Sequence, residues 1–194
     1  VTVTVTGVDD AIADGPQPYT IVTSAASSTD AKYNGLNPPD VTVSNTDYDI
    51  PGITVNPTGG LVTTEVGGTA TFTIVLTSQP TASVTITLNS SDTTEGTVSP
   101  SSVTFTTSNW NTARTVTVTG VNDAVDDENV PYTIATAAAS SADGNYNGLD
   151  PDNVSVSNAD DDTADFSVNP ATGLVTTEAG GTDTFTIVLT SQPT

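Results

Sequence analysis

Apolar and polar residues alternate with a period of two along most of this chain. The pattern is clearest in TFTIVLT (71–77), SVTITLN (83–89), SVTFTT (102–107), RTVTVTGV (114–121), PYTIAT (131–136) and NVSVSN (153–158), with weaker runs at ITVN (53–56) and FSVN (166–169). Successive strand side chains point to opposite faces, so each run predicts a strand with one buried and one wet face. Val116 and Val118 are expected inside, Thr117 and Thr119 outside. Phe72, Ile74 and Leu76 alternate inward in the same way. Clusters of Pro, Gly, Asn and Asp separate the runs and read as turns. No helical period is present, and the Ala-rich TAAASSADG (136–144) is too short and too soon interrupted to form a helix.

The runs repeat. TVTVTGVDDA from Thr2 returns as TVTVTGVNDA from Thr115, an offset of 113 residues that holds without a gap, with 54 of the 81 aligned pairs identical between 1–81 and 114–194. A period of that size is a domain period rather than a solenoid period. Seven or so short strands per period predict tandem immunoglobulin-like antiparallel β-sandwich modules of about 113 residues, an all-β fold. The expected division is a C-terminal part of one repeat at 1–52, a complete repeat at 53–165 and an N-terminal part of the next at 166–194. Because the ends fall out of phase, the chain reads as a window on a longer array. The alternative is completion of its ends by strand addition from neighbouring chains.

Charge narrows the function. There are 23 Asp and Glu against Lys32 and Arg114, a net charge of -21. Such a chain repels nucleic acid and anionic membranes and attracts divalent cations. Its Val, Ile and Thr content favours strands rather than acidic disorder. With no Cys, His or Met and one Lys, disulfides, thiol or histidine catalysis, a lysine Schiff base and an ordinary zinc site are excluded. No apolar run approaches the roughly 20 residues of a membrane-spanning helix, so no direct membrane insertion is expected.

The acids are unevenly placed: 18 of the 23 fall in 1–52 and 120–165, mostly between strands. Asp123, Asp126, Asp127 and Glu128 form one dense group, and Asp160, Asp161 and Asp162 another. Ca2+ takes six to eight oxygen ligands, several of them carboxylates on flexible loops. Two such loops at one end of a sandwich supply that chemistry. The competing reading is a solvated acidic surface that keeps a long fibre soluble. Three adjacent carboxylates repel unless a cation sits among them, which favours the metal.

The stretch 53–162 resembles a Calx-beta module, the calcium-binding sandwich of sodium–calcium exchangers that also recurs in large bacterial surface proteins. TTEVGGTATFTIVLT, VTFTTSNWNTARTVTVTGVNDAVDDENVPYTI and VSVSNADDD carry the resemblance. It implies Ca2+ ligation by Glu65, Asp123, Asp126, Asp127, Asp160, Asp161 and Asp162. The family's acidic pair is Asn122–Asp123 here. In the preceding copy Asp47, Tyr48 and Asp49 replace the Asp run and Gly15 replaces Glu128, so that copy is expected to bind more weakly or not at all.

Other signals point to structure. Asp143, Asn145, Asn147 and Gly148 open like an EF-hand loop, but its twelfth position is Val154 where a Glu is needed, so a turn is expected. Trp110 is expected to cap the core, and Tyr132 and Tyr19 to act as tyrosine corners. Two N-glycosylation patterns, at Asn89 and Asn153, are too short to carry weight. The expected function is a non-catalytic structural repeat of a secreted or cell-surface adhesin stalk or filament. Its partners would be neighbouring modules and other copies in a filament, and Ca2+ would stiffen it near module ends. A calcium-sensing regulatory module and a carbohydrate- or ice-binding module remain alternatives.

Overall fold

The computed structural model describes residues 1–194 and contains no helix, so none is long and apolar enough to cross a membrane. Its strands are β1 (Gln17–Ile21), β2 (Val41–Asn45), β3 (Ile53–Asn56), β4 (Leu61–Thr64), β5 (Thr69–Leu76), β6 (Val84–Ser90), β7 (Gly96–Ser99), β8 (Ser102–Phe105), β9 (Arg114–Gly120), β10 (Val130–Thr136), β11 (Ser140–Ser141), β12 (Val154–Ala159), β13 (Phe166–Asn169) and β14 (Thr186–Leu189). Strands β3 to β12 form a two-sheet sandwich. One sheet has the order β3-β5-β9-β7; the other has β6-β10-β12-β4, with β8 and the short β11 also paired to β6. The all-β sandwich expected from the alternation is what the chain adopts.

The core is the set of inward positions of those runs. Phe72, Ile74, Leu76, Val84, Ile86, Leu88, Phe105, Val116, Val118, Ile134, Val154 and Val156 are among its seventeen buried apolar residues. Trp110 packs against their rim, as expected of a capping residue. The four-residue β4 and β7 were not legible as runs, because LVTT sets its two apolar residues side by side and GTVS holds only one, so neither alternates.

All pairings are antiparallel except one: β4 runs parallel to β12, with Leu61 opposite Val156 and Thr64 opposite Ala159. The parallel pair brings both C-terminal strand ends to one edge. Antiparallel register delivers four more ends, of β5, β7, β9 and β10, to the same place: Gly96 of β7 faces Gly120 of β9, Thr69 of β5 faces Thr119 of β9, and Val130 of β10 faces Asn158 of β12. Residues just beyond these ends therefore share one pole of the sandwich.

The flanking segments repeat the same pairings. In β1–β2 Gln17 faces Asn45, as Val130 faces Asn158 at the 113-residue offset. In β13–β14 Phe166 faces Leu189, as Ile53 faces Leu76. Burial differs between the two: Phe185 is 53% exposed, whereas its counterpart Phe72 is 1% exposed.

Tyr146 is fully buried in the turn that follows β11. Its hydroxyl donates to the Ser78 carbonyl at 2.6 Å and lies 3.1 Å from the Ser78 N–H, which donates to it. This is the backbone-anchored tyrosine of the fold. Tyr132, expected in that role, meets the Thr63 hydroxyl instead, at 3.0 Å. In the same turn Asp143 is consumed by structure, accepting from the N–H groups of Thr81 and Asn145. Tyr146→Phe strands two buried backbone groups and is expected to cost about 1–3 kcal/mol. Urea unfolding checks this; a loss below a few tenths would show that water replaces the hydroxyl.

Candidate metal centre

Four loops meet at the pole defined by the strand ends. Glu65 follows β4, Glu95 precedes β7, Asp123 and Asp127 lie between β9 and β10, and Asp160–Asp162 follow β12. Carboxylate oxygens of Glu65, Asp123 and Asp162 lie within 4.8 Å of one another, as do those of Glu95, Asp123 and Asp127. Asp123 belongs to both groups. The fold thus brings together Glu65, Asp123, Asp127 and Asp162 of the seven expected ligands. It adds Glu95, which sequence reasoning missed because its strand β7 was not recognised.

The other three expected residues stand outside both groups. Asp160 is half-buried and anchors the loops, accepting from the Glu128 N–H at 3.0 Å and the Asp162 N–H at 2.8 Å. Asp161 is exposed. The Asp126 carboxylate accepts from the Ala164 N–H at 2.7 Å.

Beneath the cluster lies a buried polar network. Asn158 is 1% exposed. Its amide donates to the Val121 carbonyl at 3.0 Å and approaches Glu95 Oε2 at 3.4 Å, while its Oδ1 accepts from the Thr63 hydroxyl at 2.9 Å. Asn158 follows Val154 and Val156 on the core face, so the alternation itself flags a buried polar side chain there. Gly120 makes room for it, since a Cβ at that position would collide with Asn158 Oδ1 and the Thr64 carbonyl oxygen. The device recurs at the offset, where the Asn45 amide donates to the Val8 carbonyl at 2.7 Å.

The electrostatics are one-sided. Glu65 is 3% exposed, and its Oε2 is buried without a hydrogen-bond partner. Buried carboxylate oxygens are rarely left in that state. Burial, then the Asp123 and Asp160 charges, push the Glu65 carboxyl up to about 7. Burial also raises Glu95; burial and then Asp123 raise Asp127; burial and then Asp160 raise Asp162. No basic side chain answers them. Arg114 begins β9 and Gly120 ends it, so the guanidinium starts roughly 20 Å of strand away from the cluster. Several carboxylates clustered around a buried one with an unpartnered oxygen are ligands of the kind that hard cations take.

The preceding copy of the pole keeps the frame with fewer charges. Gly15 N–H donates to Asp47 at 2.7 Å and Asp49 N–H to Asp47 at 2.8 Å, matching the bonds to Asp160. Gly15 and Glu128 share the left-handed backbone, with φ of 72° and 67°. Asp9, Asp10, Asp14, Asp47 and Asp49 line an open cavity of about 180 Å³ there.

No protein-family profile matches this sequence. No curated protein matches it either. Among solved structures, the chain is similar to the apo-form Calx CBD1 domain, with 14% identity over 59% of this chain and 100% of that one, at a TM-score of 0.45. It is similar to the periplasmic chaperone SfaE at 9% identity, covering 57% of this chain and 58% of that one, also at 0.45. It is similar to domains 4 and 5 of the S-layer protein SbsC at 18% identity, covering 79% and 82%, at 0.36. The chain thus spans less than two thirds of the chaperone. These are distant likenesses of fold.

The raised Glu65 carboxyl sets a pH dependence. Below about 4.5 it is protonated in both folded and unfolded chains and has no effect. Above about 7 it is ionised in both, and the folded state carries the full burial penalty. The penalty therefore grows as pH rises between those values. Glu95, Asp127 and Asp162, also raised, act in the same direction. With divalent cations chelated, Tm is expected to be higher at pH 5 than at pH 8. Glu65→Gln should raise Tm at pH 8 and leave it nearly unchanged at pH 5. Calorimetry showing no gain at pH 8 would mean that Glu65 is not strained.

Proposed function

We propose that this chain is a stretch of a non-catalytic, extracellular structural array whose repeating unit is 53–165, stiffened by Ca2+ held at the carboxylate pole. The observation that carries the reading is the buried Glu65 carboxylate, its Oε2 unpartnered, clustered with those of Asp123 and Asp162 and with no basic side chain to balance them. Glu65, Glu95, Asp123, Asp127 and Asp162 would hold the metal; the bound ion supplies the positive charge that the cluster lacks. Asn158 keeps Glu95 and the Val121 carbonyl in place, and Asp160 ties the two Asp-rich loops to each other.

The location of the pole supports a stiffening role. The loop bearing Asp123 and Asp127 also touches the following repeat, because the Ala124 carbonyl accepts from the Gln192 N–H at 2.5 Å. A cation that fixes this loop fixes the surface on which the next module rests. The 113-residue period and the net charge of -21 fit a long spacer at a cell surface or in a filament, where self-repulsion keeps copies apart. Trp110 is spent on the core rim, which leaves the carbohydrate reading without its platform.

Ca2+ titration by calorimetry is expected to show binding that Glu65→Gln and Asp123→Asn each weaken at least tenfold. At a free Ca2+ of 100 times Kd the folded state gains about 2.7 kcal/mol, enough to raise Tm by several degrees. Absence of binding heat together with an unchanged Tm at millimolar Ca2+ would remove the metal from this account.

A further inference from the structure

The two junctions between repeats are built from corresponding residues, and comparing them brings out one bond whose two partners are both replaced. At both, the turn of the following repeat docks on the acidic loop: the Gln79 N–H donates to the Ala11 carbonyl at 2.7 Å, and the Gln192 N–H to the Ala124 carbonyl at 2.5 Å. At both, a threonine clasps the linker. The Thr77 hydroxyl donates to the Ile50 carbonyl at 2.7 Å, and the Thr190 hydroxyl to the Thr163 carbonyl at 2.5 Å.

The second junction has a further bond, from the Ala164 N–H to the Asp126 carboxylate at 2.7 Å. The positions that correspond at the first junction are Ala13 and Pro51. Alanine has no acceptor on its side chain, and proline has no N–H to give. Both partners are changed together, so the bond is chemically impossible there. At the first junction the Ala13 carbonyl accepts instead from the Asn145 amide at 2.8 Å, a contact made to the next module's turn rather than to the linker.

We propose that Asp126 is a latch on the inter-module linker rather than a metal ligand, and that the two joints of this chain, one latched and one with proline in the linker, differ in stiffness. The loop is two-sided. Asp123 and Asp127 present carboxylates to the cluster, while Asp126, between them, turns to the chain that leaves the sandwich. A carboxylate bonded to a backbone N–H is a charge-assisted hydrogen bond and needs no cation. The latch therefore acts whether or not metal is bound, and it stands independently of the calcium reading.

Exchange and distances are measured in EGTA on the whole chain, and Ca2+ affinity in a separate titration. The absence of Cys allows spin labels at engineered pairs, Thr104→Cys with Ser167→Cys across the second junction and Thr42→Cys with Thr104→Cys across the first. Asp126→Ala is expected to speed hydrogen exchange at the Ala164 amide about three- to tenfold and to broaden the 104–167 distance distribution. The reciprocal Ala13→Asp/Pro51→Ala variant is expected to narrow the 42–104 distribution. Unchanged exchange at Ala164 in Asp126→Ala overturns the latch. So does a tenfold loss of Ca2+ affinity in that variant with Ala164 exchange unaffected, which would make Asp126 a ligand. A chain that binds no Ca2+ yet shows the exchange effect sinks the metal reading and leaves the latch standing.

Discussion

The burial of mutually repelling carboxylates at one pole is the constraint around which the loops of this sandwich are arranged. Strand register, above all the parallel β4–β12 pair, fixes four loop ends at the same edge and obliges their carboxylates to share a few ångströms. Glu65 is the extreme case, buried beneath the others with one oxygen unanswered. Nothing in a chain with two basic residues relieves it from within. A hydrogen-bonded frame under the pole, built on Asn158, Thr63 and Asp160, holds the strained arrangement open. Energy is being spent to keep acids close, and that expenditure makes sense where a cation returns it.

The strands were legible because their alternation is long and their inward residues are apolar. TFTIVLT and RTVTVTGV place Phe72, Ile74, Val116 and Val118 on one face, and these are core residues. The short strands β4 and β7 escaped, and with β7 the position of Glu95. Asn158 was legible in principle: it continues the Val154, Val156 series onto the core face, where an amide must have partners. The parallel pairing of β4 was not legible. It joins segments about ninety-five residues apart, and no local pattern encodes that choice.

Of the seven acids singled out from the sequence, the fold converges four and separates three. The separation has a physical reason. Adjacent residues in a loop point in different directions, so a run such as Asp160–Asp161–Asp162 cannot offer all its carboxylates to one point. Asp160 turns inward to backbone N–H groups, Asp162 faces Glu65, and Asp161 remains in solvent. Composition counts acids; only the backbone assigns their directions.

The repeat adds a comparison within one molecule. The frame bonds to Asp47 and Asp160, the left-handed residue at Gly15 or Glu128 and the Gln-to-Ala docking bond all recur, while the charges around them vary. The architecture of the pole is thus held constant, and its charge and its grip on the linker are tuned copy by copy. The most direct check of the central claim is a crystal structure grown in millimolar Ca2+. The account predicts a Ca2+ ion bonded to Glu65 Oε2, Asp123 and Asp162 at 2.3–2.6 Å. A well-ordered pole with no ion there, under saturating Ca2+, would contradict it.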